Sequence, residues 1–281
     1  MEVITRIDTM REKLISSRQV GQKIGLVPTM GFLHDGHLSL IRKAAQENDI
    51  VVVSVFVNPT QFGPQEDYEE YPRNVERDAL LAEEAGATFI FHPSVEEMYP
   101  ENYETYVEVT DLTKVLCGRS RPGHFRGVTT VVTKLFNIIQ PDRAYFGQKD
   151  AQQAIVIQKM VRDLNQNVKI CVCPIVREKD GIAMSSRNTY LTNEERMQAA
   201  VLHKSLEMAQ KMIDEGERDA KTITKAIEKQ ICTMEKAYID YVALVSLHNL
   251  QPLTVLSGDI LIALAVKFGA TRLIDNVIIT V

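Results

Sequence analysis

The chain has 281 residues, 45% of them hydrophobic, enough to bury a full core and to form two domains. Its formal net charge of -5 argues against nucleic-acid partners, which need a basic face for phosphate contacts. Met1 to Arg6 lacks the apolar core of a secretory leader, and no apolar run approaches the roughly 20 residues that cross a bilayer, so a cytoplasmic protein without membrane contact is expected.

Ile24 to Val27 reads as a buried strand, and Leu38 to Ala45 has helical spacing and good helix formers. Between them lies Val27-Pro28-Thr29-Met30-Gly31-Phe32-Leu33-His34-Asp35-Gly36-His37. Two glycines and two histidines therefore stand where a strand gives way to a helix, the place where open α/β sheets bind nucleotides. Gly31 and Gly36 allow close backbone approach, and the helix start offers unpaired N–H groups to phosphate. His34 and His37, one turn apart, add hydrogen bonds to those phosphates. Zinc is a poorer reading, because no third ligand sits nearby at a familiar spacing.

Ile50 to Val57 is a nearly continuous β-branched run, as in a strand covered on both faces. Tyr71 to Gly86 reads as a helix with a glycine stop, Ala87 to Phe91 as a strand, and Val128 to Ile139 as a helix. A strand over Asp142–Phe146, a helix over Ala151–Leu164 and a strand over Val168–Val176 complete the alternation. This pattern predicts a doubly wound, Rossmann-like parallel sheet. Beyond it, helices over Asn193–Glu215 and Ala220–Lys236 precede strands over Tyr238–Leu247, Asp259–Val266 and Leu273–Thr280. Helices followed by adjacent strands predict a smaller α+β domain with an antiparallel sheet. The expected division is 1–176 and 177–281.

Asn58 to Tyr71 leaves the second strand carrying prolines, a glycine and amides, and Cys117 to Gly127 holds three arginines and three glycines that could close over phosphates. Phe146-Gly147-Gln148-Lys149-Asp150 repeats the strand-end logic. Gly147 permits a tight turn, Lys149 supplies a compact charge, and Asp150 caps the next helix or accepts ribose hydroxyls. Gln153 lies one turn further on. Asp180-Gly181 marks a turn before Met184-Ser185-Ser186-Arg187, where hydroxyls and a guanidinium suit a triphosphate. Cys117, Cys171, Cys173 and Cys232 are scattered and read as reduced thiols.

The segments PTMGFLHDGH, FVNPTQF, YPRN, GHFRGVTTVV, FGQKDAQQ and AMSSRN occur in order between residues 27 and 188. Together they closely resemble the pantoate–β-alanine ligase family of the nucleotidyltransferase superfamily. The resemblance implies ATP-dependent condensation of (R)-pantoate with β-alanine through a pantoyl adenylate, releasing AMP and pyrophosphate. It implies an ATP site of Met30, Gly31, Phe32, Leu33, His34, Asp35, Gly36 and His37, with Gly147, Gln148, Lys149 and Asp150. Val176 would lie near the adenine, and Met184, Ser185, Ser186 and Arg187 would form a loop like that of class I synthetases. His37, His34 and Lys149 are the implied catalytic residues. Gln61 and Gln153 are the implied substrate amides, and Asn58 is a weaker candidate for the same pocket. The resemblance further implies residues 1–176 as the nucleotide- and pantoate-binding domain, 177–281 closing over the ATP site, magnesium on the β- and γ-phosphates, and a homodimer. Rival readings are another nucleotidyltransferase that keeps the nucleotide in its product, or a non-catalytic nucleotide-binding relative.

Overall fold

A computed structural model describes residues 1–64 and 66–281. The chain divides into two compact units, the first comprising Met1–Thr113, Arg121–Gln148 and Gln152–Pro174, the second Lys114–Ser120, Lys149–Ala151 and Ile175–Val281.

The first unit contains strands β1 (Glu2–Ile4), β2 (Ile24–Thr29), β3 (Ile50–Val55), β4 (Phe89–Phe91), β5 (Arg143–Gly147) and β6 (Lys169–Cys173). They form one sheet in the order β1-β4-β3-β2-β5-β6, and every neighbouring pair is parallel. Helices α1 (Ile7–Gln19), α2 (Asp35–Glu47), α3 (Val75–Glu84), α4 (Val95–Met98), α6 (His124–Ile139) and α7 (Ala151–Asp163) connect them, and the short α5 (Cys117–Ser120) belongs to the second unit. Alternate strand residues feed two cores. Leu26, Val52, Ala144 and Phe146 pack with residues of α1, α6 and α7, whereas Val27, Val51, Val53 and Tyr145 pack with residues of α2 and α3. Both faces are thus covered, which is why these strands read as unbroken apolar runs.

The second unit adds α8 (Asn193–Ala199), α9 (Val201–Asp214) and α10 (Ala220–Ile231), then β7 (Ala237–Ser246), β8 (Asp259–Phe268) and β9 (Thr271–Thr280). The strands form an antiparallel sheet in the order β7-β8-β9. Ile260, Ile262, Leu264, Val266 and Phe268 of β8 share one face and join a core with Leu206, Ile213, Ile223 and Ile227 of the helices. The parallel α/β sheet and the smaller antiparallel sheet are those the sequence predicts.

Several boundaries differ from the sequence reading. β1 and α1 were not predicted: β1 has three residues, and α1 buries only Met10, Leu14 and Ser17 on a polar helix. The helix expected over Asn193–Glu215 is two, divided at Ala200. There Ala199 to Leu202 are all buried, more than the single stripe that a straight surface helix hides. β6 stops at Cys173 because Pro174 has no N–H for the ladder. α3 starts late, at Val75, where the Asn74 side chain accepts from the Arg77 N–H at 2.9 Å. Among the described residues no helix is long and apolar enough to cross a membrane.

α6 begins at His124, so the second half of the arginine–glycine loop is helical. Its Gly127 lies against the turn Pro59–Gln61 so closely that a Cβ would stand 2.4 Å from the Thr60 carbonyl oxygen and 2.6 Å from the Gln61 nitrogen. Those neighbours are backbone and do not swing aside. Gly127→Ala is therefore expected to lower stability by about 1–3 kcal/mol in urea unfolding, through overpacking rather than loss of a contact. Unchanged stability would mean that the turn yields freely.

Candidate functional site

The strand order places β2 beside β3 on one side and β5 on the other. The crossover from β2 through α2 leads to β3, so the carboxyl ends of β2 and β5 flank the point where the sheet changes direction. Open parallel sheets bind ligands in the crevice at such a point. Both histidine-bearing and lysine-bearing segments leave from these two ends.

The loop after β2 is tightly specified. Thr29 Oγ1 donates to the Ser54 carbonyl at 2.7 Å and accepts from the Gly31 N–H at 3.1 Å. Gly31 has φ +86°, and a Cβ there would stand 2.9 Å from Val55 Cγ1 and 3.0 Å from Asp78 Oδ2. The next two N–H groups, of Phe32 and Leu33, donate to the two carboxylate oxygens of Asp78, each at 2.7 Å. Asp78 is 1% exposed, so this carboxylate is committed to the loop. The amides of Phe32 and Leu33 consequently face the protein, and Leu33 is itself fully buried.

His34 is the N-cap of α2, and its side chain accepts from the backbone of His37, while His37 Nδ1 accepts from the His34 N–H at 3.4 Å. This reciprocal capping box is built from two imidazoles where serine and glutamate are usual. The rings stack with centroids 4.0 Å apart. Accepting through Nδ1 puts the neutral His37 proton on Nε2, making that atom a donor. Asp35 and Gly36 occupy the first turn of α2, with Gly36 accepting from the Ser39 hydroxyl at 2.8 Å.

Met30 meets the second predicted loop. Gln61 Nε2 lies 3.1 Å from Met30 Sδ, and Gln61 Oε1 accepts from Asn58 Nδ2 at 3.1 Å. Asn58 is 1% exposed and its amide is occupied throughout: Nδ2 also donates to the Gly127 carbonyl at 3.2 Å, and Oδ1 accepts from Tyr99 Oη and Thr60 Oγ1, both at 2.9 Å. Burial pushes the Tyr99 hydroxyl up to about 12, which keeps it a donor to Asn58. Any part of Asn58 in substrate binding therefore runs through Gln61. The Gln61 carbonyl takes a hydrogen bond from His124 Nδ1 at 2.9 Å.

In the arginine–glycine loop, Arg121 Nε donates to Glu66 Oε1 at 2.7 Å, and Arg126 lies over the Tyr106 ring, 4.8 Å from its centroid. Burial opposes ionisation of Glu66, but the Arg121 guanidinium outweighs it and holds the carboxyl below its usual range. These two guanidiniums thus have partners within the first unit. Gly147 ends β5, Gln148 opens a short helical turn, and Gln153 lies half-buried in the first turn of α7. Its neighbour Gln152 is 6% exposed and donates to the Leu112 carbonyl at 2.9 Å, so only the second of the two glutamines remains partly accessible.

In the second unit, Lys149 Nζ and Asp150 Oδ2 are 3.8 Å apart, with the lysine side chain 22% and the aspartate 46% exposed. The Val176 carbonyl accepts from the Met184 N–H at 2.9 Å, closing a hairpin that delivers Ser185, Ser186 and Arg187. Ser185 Oγ accepts from the Arg187 N–H at 3.3 Å and caps the turn Ser186–Tyr190, in which Ser186 is 7% exposed. Asp78, Gly127 and Tyr99 escaped the sequence reading. Only Asp78 left a trace, as an acidic residue in the first turn of a helix.

A sequence model of the family described as pantoate-beta-alanine ligase matches residues 2–278. The chain is 59% identical over 281 residues to the pantothenate synthetase of Acetivibrio thermocellus, all of both chains being covered. It is 58% identical to that of Moorella thermoacetica, covering 100% of this chain and 99% of the relative. The crystal structure of pantothenate synthetase from Thermus thermophilus superposes with a TM-score of 0.94 at 45% identity, covering 99% of each chain. That of the Francisella tularensis ligase, complexed with beta-gamma ATP and beta-alanine, gives 0.80 at 36% identity, covering 99% of this chain and 97% of that one. The chain belongs to the pantoate–β-alanine ligase family.

Proposed function

We propose that this chain condenses (R)-pantoate with β-alanine at the expense of ATP, forming pantothenate, AMP and pyrophosphate. The observation that carries the reading is the His34–His37 capping box at the carboxyl end of β2, on a loop fixed by Asp78 at the reversal of strand order. Family membership supplies the substrates.

In the first step a pantoate carboxylate oxygen attacks the α-phosphorus of ATP, and the bond to the pyrophosphate oxygen breaks. In the second, the neutral amine of β-alanine attacks the activated carbonyl, the bond to AMP breaks, and the amine releases a proton. Transfer at phosphorus calls for positioning and charge stabilisation rather than covalent help. The phosphates would lie over Met30 to His37, with His37 Nε2 and His34 beside them. Lys149 would neutralise the charge that builds on the phosphate oxygens, and Asp150 would take the ribose hydroxyls. Gly147 and Gln148 would carry the chain past the nucleotide, Val176 would line the adenine, and Met184 to Arg187 would hold the outer phosphates. Gln61 and Gln153 would hold pantoate. Neutral amides can bind its hydroxyls without drawing charge from the attacking carboxylate.

Among the described residues no group of three His, Cys, Asp or Glu side chains is placed to hold a metal ion. Magnesium belongs to the reading on the chemistry of ATP: it would offset triphosphate charge, held mostly by phosphate oxygens and water. The reading includes a homodimer, a cytoplasmic setting, and domains 1–176 for nucleotide and pantoate and 177–281 for the Met184–Arg187 segment.

The test is AMP release from ATP, magnesium and pantoate, with and without β-alanine. Catalytic release only with both substrates is expected, together with pantoate-driven exchange of pyrophosphate into ATP when β-alanine is absent. Bound ATP with neither activity would sink the reading. Lys149→Ala is expected to slow that exchange about 100- to 1,000-fold in a folded protein; near-normal exchange would remove the lysine from the site. Asp78→Ala strands two loop amides, so unfolding should cost about 2–4 kcal/mol less and the KM for ATP should rise, whereas an unchanged KM would show the loop to be held without it.

A further inference from the structure

β9 pairs in its sheet with β8 and forms one edge of it. Its middle is otherwise apolar, yet it carries Asp275 and Asn276, 2% and 4% exposed. A buried carboxylate is tolerated only where it is paired, and packed apolar residues would serve stability at least as well. What each side chain holds gives the reason for its presence.

Asp275 grips Arg177 with both oxygens, Nη1 to Oδ2 at 2.6 Å and Nη2 to Oδ1 at 3.0 Å. The same guanidinium donates to the Gly181 carbonyl at 3.1 Å, and Arg177 and Ala183 form an antiparallel bridge. Asp275 therefore clamps the hairpin whose outgoing arm is Met184-Ser185-Ser186-Arg187. Successive side chains leave a strand on opposite faces. Asn276 accordingly reaches a different segment, and its Nδ2 donates to the backbone carbonyl of Lys149 at 2.9 Å. The two anchors are joined, since Asp275 Oδ1 also accepts from the Asn276 N–H at 2.8 Å.

We propose that Asp275 and Asn276 are positioning residues for the nucleotide, setting the Lys149 turn and the Ser185–Arg187 loop against one another from a single strand. The assignment rests on the function proposed above and deepens it. Both segments are short turns with little apolar packing of their own, and phosphoryl chemistry loses rate when its donors shift by about an ångström. Neither residue touches the nucleotide, and their effect passes through Lys149 and the hydroxyl loop.

The test compares Asn276→Ala, Arg177→Lys and, as a control on the same strand, Thr280→Ala, which removes an exposed hydroxyl bonded to Asp259. Four quantities are read: ATP affinity by calorimetry, pantoate-driven pyrophosphate exchange, the KM for pantoate, and capture of supplied pantoyl adenylate by β-alanine. Asn276→Ala and Arg177→Lys are expected to weaken ATP binding and slow exchange about tenfold each, leaving the KM for pantoate and the β-alanine step within about twofold. Thr280→Ala should match the wild type. Arg177→Lys keeps the charge and loses only the fork, so it decides the matter should the alanine variant fail to fold. Wild-type ATP affinity in a folded variant overturns the proposal, as does a loss spread equally over all four readouts. A wild-type protein that binds ATP but shows no exchange overturns the function reading alone, and the ATP affinities of the variants still judge the positioning role.

Discussion

The reversal of strand order between β2 and β5 is the constraint on which the rest depends. A parallel sheet joined by right-handed crossovers must send its helices to opposite faces on the two sides of that reversal. The carboxyl ends of the two central strands are left without a helix above them. Whatever covers them must be loop, and loop backbone brings N–H and C=O groups that no ladder satisfies. The histidine loop is the chain's answer to this demand at the end of β2.

Loops that keep polar backbone available cannot be fixed by burying apolar side chains, so they are held by single polar residues on rigid elements. Asp78 on α3 takes two amides of the histidine loop. Asn58 ties the Gln61 turn to α6 and to Tyr99. Asn276 on β9 holds the lysine turn. Each anchor is 4% exposed or less, so its hydrogen bonds act in surroundings where leaving a partner unmade costs about 1–3 kcal/mol. That penalty for slipping is what gives a short loop a single conformation.

The same arrangement decides what sequence reasoning can reach. Unbroken runs such as Ile50 to Val55 announce a strand covered on both faces, because burial on both sides leaves no alternation to blur. The histidine, lysine and serine segments were legible because glycines, charges and strand ends coincide along the chain, and the family follows from their order. Asp78, Asn58 as an anchor, and the Asp275–Asn276 pair were not, since each holds a segment 45 to 127 positions away, and its own neighbours in sequence say nothing of that partner. Asn58 shows the difference well. Its place beside Gln61 suggested a ligand, whereas the surrounding carbonyl, hydroxyls and amide fill its bonding capacity. β1 and the broken helix at Ala200 were hidden for a simpler reason: three residues carry no period, and a helix break set by packing leaves no glycine or proline behind.

In the proposed reaction the residues assigned to the two substrates differ in charge. A carboxylate nucleophile is blunted by a full positive charge at its own oxygens but needs one at the phosphate it attacks. The groups assigned to pantoate are amides, and the orientation of the Gln61 amide is set by Asn58 on one side and Met30 on the other. The groups assigned to phosphate include Lys149 and Arg187, together with two imidazoles whose reciprocal capping directs the His37 proton to Nε2. A capping box of serine and glutamate would start α2 equally well, but it would put a carboxylate where the phosphates are expected. Using histidine at both positions starts the helix and leaves an imidazole N–H donor at its mouth.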